Sequence, residues 1–162
     1  MHDTSIIQRV AIGAVAGLAA TLVLQQVRTG TQHLLPETTP PMREEPGKFM
    51  VEQAQDVLPE ETRAQIPESV ETATAASLAF GYGATAGAIY GALRGDNGNL
   101  LADGTLLGLG TWAVGYLGWL PATGLMPAVH KQQLEQVATP IVQHIVFGMT
   151  TAAAYQALLR LA

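Results

Sequence analysis

Between Arg9 and Arg28, between Glu71 and Arg94, between Asp103 and Lys131, and between Glu135 and Arg160, this chain carries no formal charge. Each run contains an apolar segment of the length a helix needs to cross about 30 Å of hydrocarbon, roughly 20 residues at a rise of about 1.5 Å. Charge at the centre of a bilayer costs about 2.5 to 3.5 kcal/mol per residue on insertion scales, so this segregation separates a membrane protein from a soluble one with a rich core. Of the 13 acidic residues, nine lie between Glu37 and Glu71, so the net charge of −5 describes a loop. Eight scattered Lys and Arg make no basic footprint, which argues against a nucleic-acid partner. With no cysteine the chain has no disulfide, no thiolate nucleophile and no thiolate metal site.

The predicted fold is all-α: a single transmembrane domain over residues 1–162, built as a four-helix transmembrane bundle. Its spans are expected at about 6–27, 72–93, 100–120 and 140–161, with a proline-rich acidic loop at 28–71. Arg9 lies close enough to the start of the first span to snorkel, and Arg28 closes its other end. A signal peptide fits this segment in position only, because its basic region is weak and three more apolar spans follow. Residues 94–99, with Asp96, Asn97 and Gly98 at the centre, read as a short polar turn that returns the third span antiparallel to the second. Pro121 is expected to end or kink the third span, and Pro140 to open the fourth.

An even number of spans puts both termini on one side. That side carries Arg9, Arg94 and Arg160, against Arg28, Arg43, Lys48, Arg63 and Lys131 on the other, so the positive-inside rule leans towards a cytoplasmic long loop. Within that loop Met50, Ala54, Val57 and Leu58 fall at helical spacing, predicting a short amphipathic helix on the membrane surface; a mobile acidic linker is the alternative. No internal repeat points to an inverted-repeat transporter.

Lipid tails are as apolar as leucine, so helices in a bilayer associate through close backbone approach at small residues spaced by four. Such stripes occur at Gly13 and Gly17, at Gly83, Gly87 and Gly91, at Gly104 and Gly108, and at Gly148 with Ala152. They suit packing within one chain or a seam between copies of it. Gly81, Gly83 and Gly87 do not make a dinucleotide fingerprint, since they sit inside an apolar span with no preceding strand. Trp119 and Tyr155 are placed as interfacial anchors, and Trp112 and Tyr116 as packing groups between helices.

Chemistry-bearing residues are few. His33, His130 and His144 are all expected near one membrane face, together with Glu68, Glu71 and Glu135. Imidazole titrates near neutrality and carboxylates accept its hydrogen bonds, so such a group could sense pH, relay protons or hold a divalent metal. A hydrogen bond from His144 across or along helices is the simpler reading. Haem b would need two imidazoles at matching depth, and only His144 is clearly within a span. Ser77, Thr150 and Thr151 have no base beside them, which argues against a hydrolase. No cofactor is expected.

The segments Trp119-Leu120-Pro121, Gly124-Leu125-Met126-Pro127 and His144-Ile145-Val146-Phe147-Gly148, in that order, resemble the YagU-like family of small bacterial inner-membrane proteins. The resemblance covers about thirty residues, and the long acidic loop departs from it. It implies a four-span protein of the bacterial inner membrane with a link to acid stress, and aligns His144 with the histidine of the terminal motif, beside Pro121, Pro127 and Gly148. The expected function is a non-enzymatic membrane protein, an accessory subunit of a larger assembly or a small homo-oligomer. Its partners would be the lipid bilayer and other membrane subunits or further copies of itself. The alternative is a pH-responsive channel or proton-coupled permease gated from the histidine side.

Overall fold

The computed structural model describes residues 4–95 and 98–162. Asp96 and Asn97, at the centre of the expected turn, lie outside the described residues. Every regular element among the described residues is helical. The first helix, α1 (Ile6–Leu34), starts with a reciprocal cap in which the Gln8 amide donates to Ser5 Oγ at 3.2 Å and the Ser5 amide to Gln8 Oε1 at 3.0 Å. It runs seven residues past the expected end of the span at residue 27, because residues 28–34 contain no proline and the lone Gly30 does not stop it. Termination comes at Leu35, where the following Pro36 disfavours helical backbone.

Proline also punctuates the loop. Pro46 opens α2 (Pro46–Gln55), Pro59 precedes the single turn α3 (Glu60–Arg63), and Pro67 precedes α4 (Glu68–Leu93). Helix α2 falls where an amphipathic helix is expected, but a different face is buried. Gly47 meets Ala75 of α4 while Val51 and Gln55 are buried at the same four-residue spacing, and Met50, Ala54, Val57 and Leu58 are left exposed. The loop folds back on α4 through Gly47 and Val51, Phe49 packs against the cluster of Leu120, Leu125 and Met126, and Met50, Val57 and Leu58 face outward.

The Asn99 side chain caps α5 (Leu100–Trp112), accepting from the Ala102 amide at 3.1 Å. The chain then passes through a wider π-helical segment, Ala113–Trp119, and a last turn, α6 (Leu120–Ala122). The break lies at Gly118 (φ −99°, ψ −107°), three residues ahead of Pro121, which itself sits inside the closing turn. Gly124, with φ +74°, ends that turn: its amide donates to the Pro121 carbonyl and the Leu125 amide to the Leu120 carbonyl. This Schellman closure needs a residue without Cβ in the left-handed region, and its apolar contact is the buried cluster of Leu120, Leu125 and Met126.

Helix α7 (Leu134–Leu159) starts at the reciprocal Gln133–Gln136 cap, so Pro140 does not open it but lies inside it and is fully buried. Its missing N–H leaves the Gln136 carbonyl without its helical donor.

Four long helical segments pack in the order α4, α1, α7, α5, and α4 and α5 barely touch although the shortest connection joins them. Glycine sets the pairing. A Cβ on Gly13 or Gly17 would run into the backbone of Gly87 or Gly83, and one on Gly104 or Gly108 into the backbone of α7 at Met149 or His144. Gly148 meets Gly104 and Gly108 in return. Tyr155 is a correction to the sequence reading: it is buried between α4 and α7, edge-on to Tyr90 with centroids 5.2 Å apart, and does not anchor at the interface. Its hydroxyl donates to the Arg94 carbonyl at 3.1 Å. Trp112 and Tyr116 stack on one another at 6.2 Å.

Three of the long segments, α1, Leu100–Ala122 and α7, are long and apolar enough to cross a membrane. Their outward faces carry large apolar side chains such as Ile7, Leu22, Leu106 and Val142, each more than half exposed, a pattern that suits hydrocarbon and not water.

Candidate functional site

His144 stands nearly three turns into α7, where Gly108 lets α5 approach so closely that its backbone lies on the His144 carbonyl. The imidazole is half-buried. Its Nδ1 donates to the Pro140 carbonyl at 2.8 Å, and the ring lies edge-on to Tyr116 with centroids 5.5 Å apart. A neutral ring held this way keeps Nε2 as an acceptor.

The other expected members of the histidine group do not join it. His33 is exposed in the last turn of α1, His130 is exposed in the short turn Val129–Lys131, and Glu135 is exposed in the first turn of α7. His130 lines an open groove of about 640 Å³ that reaches Tyr116, Pro121 and Val137. Glu71 accepts a 2.9 Å hydrogen bond from Gln55 Nε2, tying α2 to α4, and Glu68 is exposed one turn earlier. Among the described residues no three His, Asp or Glu side chains are placed to hold a metal ion. A face of the bundle gathers these residues; a site does not.

Beside His144 is a cavity of about 480 Å³ between the end of α1, residues 39–45 and the start of α7. Arg28 and Glu44 stand in its wall, with Gln143 of α7 and the ring of Tyr116. A sequence signal for it existed: Gln25, Arg28, Thr29 and Gln32 follow the i, i+3, i+4, i+7 spacing of one helix face, polar just where the apolar part of α1 ends.

The opposite end of the bundle holds an ion pair that the sequence reading missed. Asp103, 3% exposed in the first turn of α5, pairs with Arg94 at the end of α4. The carboxylate also meets the favourable end of the α5 dipole. Gln156 Nε2 of α7 donates to the Gly98 carbonyl at 3.1 Å, so α4, α5 and α7 are tied together around this turn.

The outer face of α4 differs from those of its neighbours. Ser77, Gly81 and Thr85 are exposed at four-residue spacing, and nothing lies near the position a Cβ on Gly81 would take. The two hydroxyls donate to their own helix, Ser77 to the Ala73 carbonyl and Thr85 to the Gly81 carbonyl, each at 2.8 Å. Comparison with protein-family models, with curated proteins and with solved structures finds no match to this chain.

Proposed function

We propose that the chain is a non-enzymatic integral membrane protein in which α1, α4, Leu100–Ala122 and α7 form a four-span bundle, and that it works as a subunit of a membrane assembly or a small homo-oligomer. The outer face of α4 carries this reading. It is a small-residue stripe left open at the edge of the bundle, whereas the stripes of Gly13, Gly87, Gly108 and Gly148 are already filled by helices of the same chain. Because the Ser77 and Thr85 hydroxyls are bonded internally, covering this face with another helix leaves no polar group unsatisfied. Leucine-rich surface such as that of α5 suits lipid; a groove of Ser, Gly and Thr suits a close helical neighbour. The resemblance to the YagU-like family would place the assembly in the bacterial inner membrane, with the acidic loop cytoplasmic. A pH-responsive channel draws only on half-buried His144 and is the weaker reading.

The absence of cysteine makes the test clean. Gly81→Cys in membranes should form a disulfide-linked dimer, or a conjugate with a partner subunit, on mild oxidation, while Leu106→Cys on the lipid-facing side of α5 should not. A monomer at both positions, in membranes and in several detergents, refutes the proposal.

A further inference from the structure

The cavity beside His144 holds opposite charges that do not neutralise one another. Among the described residues the Arg28 guanidinium makes no hydrogen bond and no ion pair, and neither do the Glu44 and Glu45 carboxylates, although all three line the same space. Gln143, only 8% exposed, also lines it, and its carboxamide has no hydrogen-bond partner in the protein. Its polar atoms open onto the cavity, so their hydrogen-bonding capacity is free for a polar group held there.

From this geometry we infer that the cavity binds a zwitterionic lipid headgroup, a phosphate diester carrying a primary amine. Arg28 takes the phosphate, because a guanidinium presents paired donors that match phosphate oxygens. Glu44 and Glu45 take the ammonium group, and Gln143 and Thr139 complete the polar wall. A volume of about 480 Å³ accommodates such a group. The lipid origin follows from depth. Arg28 closes the charge-free part of α1, and the helix face that offers Gln25 to the cavity continues away from it as Leu22, Leu18 and Val15, all exposed and apolar, along which acyl chains can lie.

The purified full chain in detergent, mixed in turn with phosphatidylethanolamine, phosphatidylcholine and phosphatidylglycerol, tests this by native mass spectrometry. Phosphatidylethanolamine is expected as a single retained adduct, with phosphatidylcholine, whose amine has no N–H, and phosphatidylglycerol, which has no amine, retained about tenfold less. That ratio corresponds to the loss of one charge-assisted bond. Arg28→Gln should abolish the adduct, and Glu44→Gln/Glu45→Gln should reduce phosphatidylethanolamine to the level of phosphatidylglycerol. Gln143→Leu keeps the packing volume and should weaken the adduct even if Arg28→Gln fails to fold, while exposed Arg63→Gln should change nothing. Displacement of the lipid by free phosphoethanolamine would keep the chemistry but assign it to a soluble ligand; no displacement assigns it to the membrane. Equal retention of the three lipids, or an adduct indifferent to the Glu44/Glu45 and Gln143 substitutions, overturns the inference.

Discussion

Asp103 shows how much a single carboxylate can be asked to do at the end of a bundle with few charges. Its side chain is 1% exposed and its partner Arg94 is 42% exposed, so the pair is buried on one side and solvated on the other. Breaking a fully buried pair costs about 3 to 5 kcal/mol and an exposed one under about 1; Asp103→Asn is therefore expected to cost about 2 kcal/mol. The thermal unfolding midpoint in detergent should fall accordingly, and Arg94→Gln/Asp103→Asn should fall by less than the sum of the single changes, since the two share one interaction. Equal midpoints for wild type and Asp103→Asn would show the pair to be idle. The sequence announces an acidic residue at the mouth of the third span, but not that Arg94, nine positions back across a turn, bends over to meet it. Gln143 is a similar case. Its polarity within a charge-free run is visible in the sequence, whereas the cavity it faces is made by residues from three other segments.

At the scale of helices, spacing gives faces and not partners. The stripes at Gly13 and Gly17, at Gly83 and Gly87, and at Gly104 and Gly108 can be read from the sequence, but their pairing, α1 with α4 and α5 with α7, cannot. The short connection after α4 even suggests the wrong neighbour, because a tight turn fixes direction without fixing which surfaces meet. Helix boundaries fail for the same reason. Pro140 satisfies the local rule for a first helical residue, yet the Gln133–Gln136 cap starts the helix a turn and a half earlier and tertiary packing holds the proline inside. Alanine separates packed from open positions. A Cβ on Gly87 would strike the Gly13 carbonyl and the Gly17 backbone, which cannot move aside, so Gly87→Ala should cost about 1 to 3 kcal/mol as an overpacked contact. Gly110 has open space at the same position, and Gly110→Ala should be neutral or gain up to about 1 kcal/mol from helix propensity. Paired denaturation curves check both; similar loss at both sites would mean the α1–α4 contact is loose.

For the molecule as a whole, the decisive matter is the depth of α4, the long helix whose many Gly, Ser and Thr residues keep it out of the group of three that are apolar enough to span. Hydropathy asks what a helix would do alone, and α4 is not alone. It runs antiparallel to α1 in backbone contact from Gly91, beside Arg9, through Gly87 and Gly83, beside Thr21. Two helices joined along that length occupy the same depth, so if α1 crosses the bilayer, α4 crosses with it. Its 26 residues rise about 39 Å, enough for the passage. Site-directed labelling turns this into a choice between two topologies. With four spans, single cysteines at Lys48 and Lys131 should react with an impermeant maleimide from one side of the membrane and those at Ser5, Gly95 and Arg160 from the other. With three spans, Lys48 and Gly95 would report the same side and Ser5 and Arg160 opposite sides, and α4 would have to leave α1 to do so.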